Sequence, residues 1–369
     1  MRTFYINGKF TAQRTTGVQR VATRLVQALD AQLPAGANHW VLLCPPGIEA
    51  LPLARVEVRQ VGPAGLPLHL WEQIVLPLAA RSGWLLNLAG AAPYFARRQV
   101  CLLHDAAVFD HPEAYARAFV AWYRLLFRRL ARSASKLLTV SAFSRARLAL
   151  RLGLDPARIA VVPNGCDHLE AVAPDESVLA RHGLTRCRFL LAVASANPTK
   201  NLAALVAAFA RLPADPALRL VIVGGHNPRV FAAATAADPP GVVRTGPVAD
   251  AALKALYGHA TALVFPSLYE GFGLPPLEAM ACGCPVAAAR AAAIPEVCGD
   301  AALYFDPHSV SAITAALQRL VADAPLREQL RAAGLARAGL YRWSTAAAAL
   351  RAELSAVCAA TATAPGSSA

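Results

Sequence analysis

The stretch from Phe265 to Gly283, FPSLYEGFGLPPLEAMACG, carries two glutamates, Glu270 and Glu278, with seven residues between them. An apolar strand pattern ends at Phe265, and Pro275 and Pro276 stand where a helix can begin, since a first turn has no use for their missing N–H. Gly283 is placed to stop that helix. Gly271 and Gly273 let the backbone bend so that several N–H groups and the positive end of the helix converge, an arrangement that suits an anion such as phosphate. Glu270 is expected in the loop and Glu278 in the first helical turn. There the helix dipole favours the ionised form, and a carboxylate can accept two hydrogen bonds from adjacent hydroxyls. Phosphate and vicinal diol together describe a nucleotide sugar. Two glutamates at this spacing are common by chance, and it is the glycines, the prolines and the preceding strand that favour a site over a solvated turn.

These residues need a scaffold, and short apolar runs alternating with helix-period stretches supply one of the α/β class, with parallel strands joined by crossover helices. The chain has 369 residues, 56% hydrophobic and 16% charged, enough apolar material for two cores and far from a disordered composition. Strands are expected at Thr3–Ile6, Trp40–Leu43, Trp84–Leu88, Val100–Leu103, Lys136–Val140 and Ile159–Val162. A second set is expected at Phe189–Ala194, Leu218–Val223, Val242–Thr245, Ala262–Phe265, Pro285–Ala288 and Ala302–Phe305. The strand pattern lapses from Asp167 to Leu184, giving a first domain over 1–170, a second over 171–345, and a terminal helix with a frayed tail over 346–369 that packs back on the first domain. The closing helices are expected over Ser309–Arg337 and Ser344–Ala360. Two doubly wound sheets place ligand contacts on loops at the carboxyl ends of their strands.

Charge is uneven. Of a net +13, residues 1–170 hold 20 basic and 10 acidic side chains, and residues 171–369 hold 16 and 13. The first half should face something anionic; nucleic acid, anionic lipid and phosphorylated substrates all fit that sign and only a site can choose among them, a nucleotide-sugar site leaving no nucleic acid among the expected partners. Eight scattered cysteines form no CxxC pair and no zinc-like spacing, which fits a reducing cytoplasm. Neither a signal pattern at Met1–Phe10 nor an apolar run long enough to span a bilayer is present in the sequence.

Glu270 and Glu278 in their EGFGLPPLE setting resemble the E-x7-E signature of the retaining glycosyltransferases of family 4, which include the group 1 enzymes of bacterial surface polysaccharide synthesis. GVQR at Gly17, HD at His104 and Asp105, VSAFSRARL from Ser141, PNG at Pro163, PTKN at Pro198 and IPEVCGDAALYFDP from Ile294 extend the resemblance over nearly the whole chain. It implies the GT-B fold, two facing Rossmann-like domains with a cleft between them, donor bound mainly by the second and acceptor mainly by the first. Carried onto this sequence, it gives Glu278 the ribose hydroxyls. Glu270 and the amides of Gly271, Phe272, Gly273 and Leu274 take the donor sugar and phosphates, Lys200 the diphosphate, and His104 the donor sugar near its reacting face. Gly17 opens a helix that approaches the diphosphate. Where the family commonly has a second cation this chain has Ala194, which Arg20, Arg244 or Arg290 could replace.

The implied activity is hexosyl transfer with retained anomeric configuration, from a nucleotide-diphosphate sugar, GDP-mannose being the first choice, to a growing and lipid-linked bacterial surface glycan. The leaving phosphate itself would take the acceptor proton, and Lys200 with the aimed amides would stabilise its charge. No cofactor is expected beyond this co-substrate, and with no Asp-x-Asp in the chain, no metal. A catalytically silent nucleotide-sugar-binding or scaffold protein is the alternative that Ala194 leaves open. A nicotinamide-dependent dehydrogenase fares worse, because no G-x-G-x-x-G follows the first strand. Arg117, Arg124, Arg128, Arg132 and Lys136 read as one helix stripe interleaved with Phe119, Trp122, Tyr123, Leu126 and Phe127. It is either a solvated face or a surface for an anionic leaflet or lipid-linked acceptor, with the protein cytoplasmic and peripheral on the inner face of the membrane.

Overall fold

A computed structural model describes residues 2–363 except 35, 37, 196 and 226–238. Contacts divide the chain into two units: residues 1–106, 121–165 and 343–369 form unit 1, and residues 107–120 and 166–342 form unit 2. Unit 1 is built on a parallel sheet of seven strands, β1 (Thr3–Asn7), β2 (His39–Cys44), β3 (Glu57–Gln60), β4 (Trp84–Asn87), β5 (Gln99–Leu102), β6 (Lys136–Thr139) and β7 (Ile159–Val161), in the order β3-β2-β1-β4-β5-β6-β7. Unit 2 holds β8 (Arg188–Val193), β9 (Leu218–Val223), β10 (Val242–Gly246), β11 (Ala262–Phe265), β12 (Val286–Ala289) and β13 (Leu303–Phe305), in the order β10-β9-β8-β11-β12-β13 and also parallel. Both are Rossmann-like sheets. Strands such as β4 and β11 are buried along their whole length because helices cover both faces, which is why they read as unbroken apolar runs.

Each sheet reverses its winding once, between β1 and β4 in unit 1 and between β8 and β11 in unit 2. At such a point the loops leaving neighbouring strands diverge and open a crevice at the carboxyl ends. The loop after β8 contains Lys200, and the loop after β11 contains Glu270. The fold thus brings together two residues 70 positions apart.

Several expectations need correction. β3 was not foreseen: its sequence EVRQ is polar because it is an exposed edge strand with β2 as its one neighbour. The helix expected over Ser309–Arg337 is two, Val310–Ala322 and Ala324–Ala338, parted at Asp323, whose side chain accepts from Leu326 N and caps the second. The last helix, Trp343–Thr363, runs past Ala360, while residues 364–369 of the expected tail lie outside the described residues. It packs on the Gly17–Gln32 helix of unit 1, with Arg351 donating to Gln32 O at 3.0 Å and Lys136 paired to Glu353 at 2.9 Å. Lys136 therefore leaves the arginine stripe: the helix ends at Ser133 and Lys136 opens β6. Leu126 and Phe127 also leave the stripe's surface, since both face inward and are buried.

Candidate active site

Unit 2 builds its site from three loops at the carboxyl ends of β8, β11 and β12. The first carries a short 3₁₀ turn, Pro198–Lys200, capped by Asn197, whose Oδ1 accepts from Thr199 N at 2.9 Å. Asn201 then takes a left-handed conformation with φ 55° and donates to Pro266 O at 3.3 Å and Pro307 O at 2.8 Å. Leu268 N donates to Thr199 O at 2.8 Å. These bonds fix the loop after β8 against the loops after β11 and β13, and Lys200 Nζ meets Glu270 Oε1 at 2.7 Å. Their side chains are 23% and 12% exposed, so the ion pair is sheltered yet reachable. The third loop joins through Ala293 N, which donates to Glu270 O at 3.4 Å.

The helix after Glu270 spans Leu274–Ala281, with Gly273 as its N-cap at φ 95°, a conformation that favours glycine. Phe272 and Leu274 bury their side chains, Phe272 edge-on to Tyr341 at 5.7 Å, so only their backbones are available to a ligand. Gly283 follows the Cys282 cap with φ 70° and ends the helix. Ser267, fully buried in the same loop, has no hydrogen-bond partner for its hydroxyl among the described residues.

Glu278 sits one turn deeper than expected. The helix starts at Leu274, which puts Glu278 beyond the first turn, and it is 3% exposed. Tyr257 OH donates to its Oε2 at 3.1 Å, and His168 Nε2 lies 3.1 Å from its Oε1. The carboxylate raises the Tyr257 phenol well above its ordinary range, though burial is the larger cause. Neither Tyr257 nor His168 was singled out from the sequence. Their approach to Glu278 depends on tertiary packing and leaves no local signal.

Three arginines are the candidates for the cation that Ala194 does not supply. Arg290 directly follows β12, three residues before Ala293, and its guanidinium lies over the Tyr304 ring at 4.6 Å. Arg244 is exposed on the edge strand β10, and Arg20 lies in the Gly17–Gln32 helix of unit 1. Ala194 itself is hemmed in: a Cβ on Gly224 would fall 1.9 Å from its carbonyl oxygen.

In unit 1, Gly17 opens its helix behind a capping box of Thr16 and Gln19, and a Cβ there would meet nothing within 4 Å. His104 Nε2 lies 3.0 Å from Leu88 O. A carbonyl only accepts, so Nε2 carries the hydrogen; burial pushes the imidazole down to about 4, which leaves a neutral ring with Nδ1 as an acceptor at pH 7. Beside the β1–β4 switch lies a buried polar network that sequence reading missed. Asn7 Nδ2 donates to Glu72 Oε1 and Asn87 Oδ1, each at 3.0 Å, and Lys9 Nζ meets Glu72 Oε2 at 2.6 Å. Glu72 lies on a π-helical turn, Trp71–Val75.

Sequence comparison decides what this arrangement belongs to. Residues 180–337 match the model of the glycosyl transferases group 1, and residues 15–169 that of glycosyltransferase family 4. The O-antigen chain mannosyltransferase B of Escherichia coli is 34% identical over 262 residues, 68% of each chain. The chain belongs to the group 1 glycosyltransferases. A 167-residue part of this glycosyltransferase is also 35% identical to the serotype-specific mannosyltransferase WbdA of Escherichia coli, covering only 20% of that longer protein. Among solved structures, Anabaena HepE in complex with UDP-glucose superposes with a TM-score of 0.72 at 17% identity, over 96% of this transferase and 100% of that chain. The glycosyltransferase has the GT-B fold.

Proposed function

We propose that this glycosyltransferase moves mannose from GDP-mannose, with retention of configuration and without a metal, to a growing lipid-linked surface glycan of a bacterium. The Lys200–Glu270 pair at the β8–β11 switch carries the reading. A departing nucleoside diphosphate needs positive charge and aimed N–H groups, and Lys200 with the start of the Leu274–Ala281 helix supplies both without a bound cation. Glu270, tethered by Lys200, is then free to accept from sugar hydroxyls as the lysine turns to phosphate. Arg290, held by Tyr304 on the loop that touches Glu270, is the favoured second cation. Glu278 takes the ribose hydroxyls. A carboxylate has about four lone-pair directions, and Tyr257 and His168 occupy two while fixing its orientation. For His104 the reading rests on the family resemblance alone, with Nδ1 of its neutral ring as the atom able to accept. The choice of mannose and of an O-antigen-like acceptor rests on the names of the two Escherichia coli relatives.

The test is turnover of GDP-mannose, UDP-glucose and their congeners in the presence of EDTA, with the anomeric configuration of any product read by NMR. Release of GDP that survives EDTA, and that falls about 100-fold or more in Lys200→Ala with the melting temperature nearly unchanged, is the expected result. Release from a UDP-sugar alone corrects the donor; an inverted product or EDTA-sensitive turnover overturns the mechanism.

A further inference from the structure

Unit 1 carries an apolar helix on its surface that is apolar on both sides. The segment runs through Leu68–Leu70, the π turn Trp71–Val75 and Leu76–Ala79. Trp71 and Leu76 are fully buried beneath it, while Leu70, Ile74 and Leu78, at four-residue steps, are 44%, 54% and 64% exposed. A surface helix in water normally turns polar residues outward, and one that does not marks contact with something apolar.

The stripe continues onto neighbouring elements. Gln73 clamps the loop after β4 to this helix, donating to Ala92 O at 3.0 Å and accepting from Tyr94 N at 2.8 Å. The loop holds out Phe95, 79% exposed. His69 packs edge-on against Trp122 at 4.8 Å, and Leu125, one turn further along the Arg117–Ser133 helix, is 50% exposed.

Positive charge borders this face. Arg128 and Arg132 follow Leu125 at helical spacing, are exposed, and with Arg158 line an open cavity of about 480 Å³ beside Leu152–Leu154. Residues 114–154 contain nine basic side chains and no acidic one, and residues 73–104 contain three arginines and no acid. A second copy of the chain meeting this face symmetrically would set like charges against each other. A surface that is apolar just below a layer of phosphate complements it.

We propose that this face seats unit 1 on an anionic phospholipid leaflet, with the Leu70–Ile74–Leu78 stripe and Phe95 in the acyl boundary and the arginine-walled cavity around a headgroup phosphate. No helix among the described residues is long and apolar enough to cross a membrane, so the contact is interfacial. The proposal takes Leu126 and Phe127 out of the membrane surface, since both are core residues. It does not depend on the donor sugar.

Co-sedimentation of the full chain with phosphatidylcholine vesicles, with and without phosphatidylglycerol, tests it. Binding is expected only with the anionic lipid. Ile74→Ser with Leu78→Ser, and separately Arg128→Glu with Arg132→Glu, should each weaken it about tenfold or more at unchanged melting temperature and circular dichroism. Equal binding to both vesicles, wild-type binding by either pair of variants, or no binding with a dimer in light scattering that Ile74→Ser and Leu78→Ser dissolve, overturns it.

Discussion

His104 links a side chain's environment to a measurable pH dependence. Burial lowers its folded-state value from 6.5 to about 4, only partly opposed by the bond to Leu88 O. The unfolded chain therefore takes up a proton below about pH 6.5 that the folded chain refuses until about pH 4. The contribution of His104 to stability is whole above pH 6.5 and is lost as pH falls through that window. Urea melts across the window should show the fall, and His104→Gln should flatten it; an unchanged slope in the variant would mean that the ring is not held neutral. Glu270, Gly271 and Gly273 stand out as candidates through the composition of their own segment, and Lys200 only through the resemblance of PTKN to the family. The Lys200–Glu270 pairing and the grip of Tyr257 and His168 on Glu278 were not, since they join residues far apart in sequence through a fold that local patterning does not specify.

At the scale of elements, the site's geometry depends on how one loop is tied to two others. Asn201 does this through a positive φ and two carbonyl bonds. Asn201→Gly keeps the conformation and loses the bonds, whereas Asn201→Ala loses both, and the alanine variant should be the less stable by about 1 kcal/mol in denaturant melts. Both should raise the donor KM by loosening Lys200 relative to Glu270. Equal stability of the two variants would show that the left-handed turn carries no strain. Twelve strands could be read from sequence by their short apolar runs, which in central strands such as β4 and β11 are buried along their whole length and in the edge strand β10 only in part. β3 escaped because an edge strand needs charge more than burial, and the break at Asp323 escaped because alanine-rich flanks hid an aspartate and proline that mark a helix start. The π turn at Trp71–Val75 has no sequence signature of its own.

The whole molecule is not two beads in order along a string. Unit 1 takes its last helix, Trp343–Thr363, from beyond unit 2, and that helix buries Trp343, Ala346, Ala347, Leu350 and Leu354. Ending the chain at residue 342 should leave the amides of unit 2 protected in hydrogen exchange while those of the Gly17–Gln32 helix and β1 exchange rapidly. Uniform protection in both units would mean that the closing helix is dispensable. The same arrangement sets an order of events during synthesis. A ribosome must translate all of residues 166–342 before it makes the segment that covers the Gly17–Gln32 helix. The part of the nascent chain that emerges first is completed last, and until then its uncovered apolar side is a natural client for a chaperone.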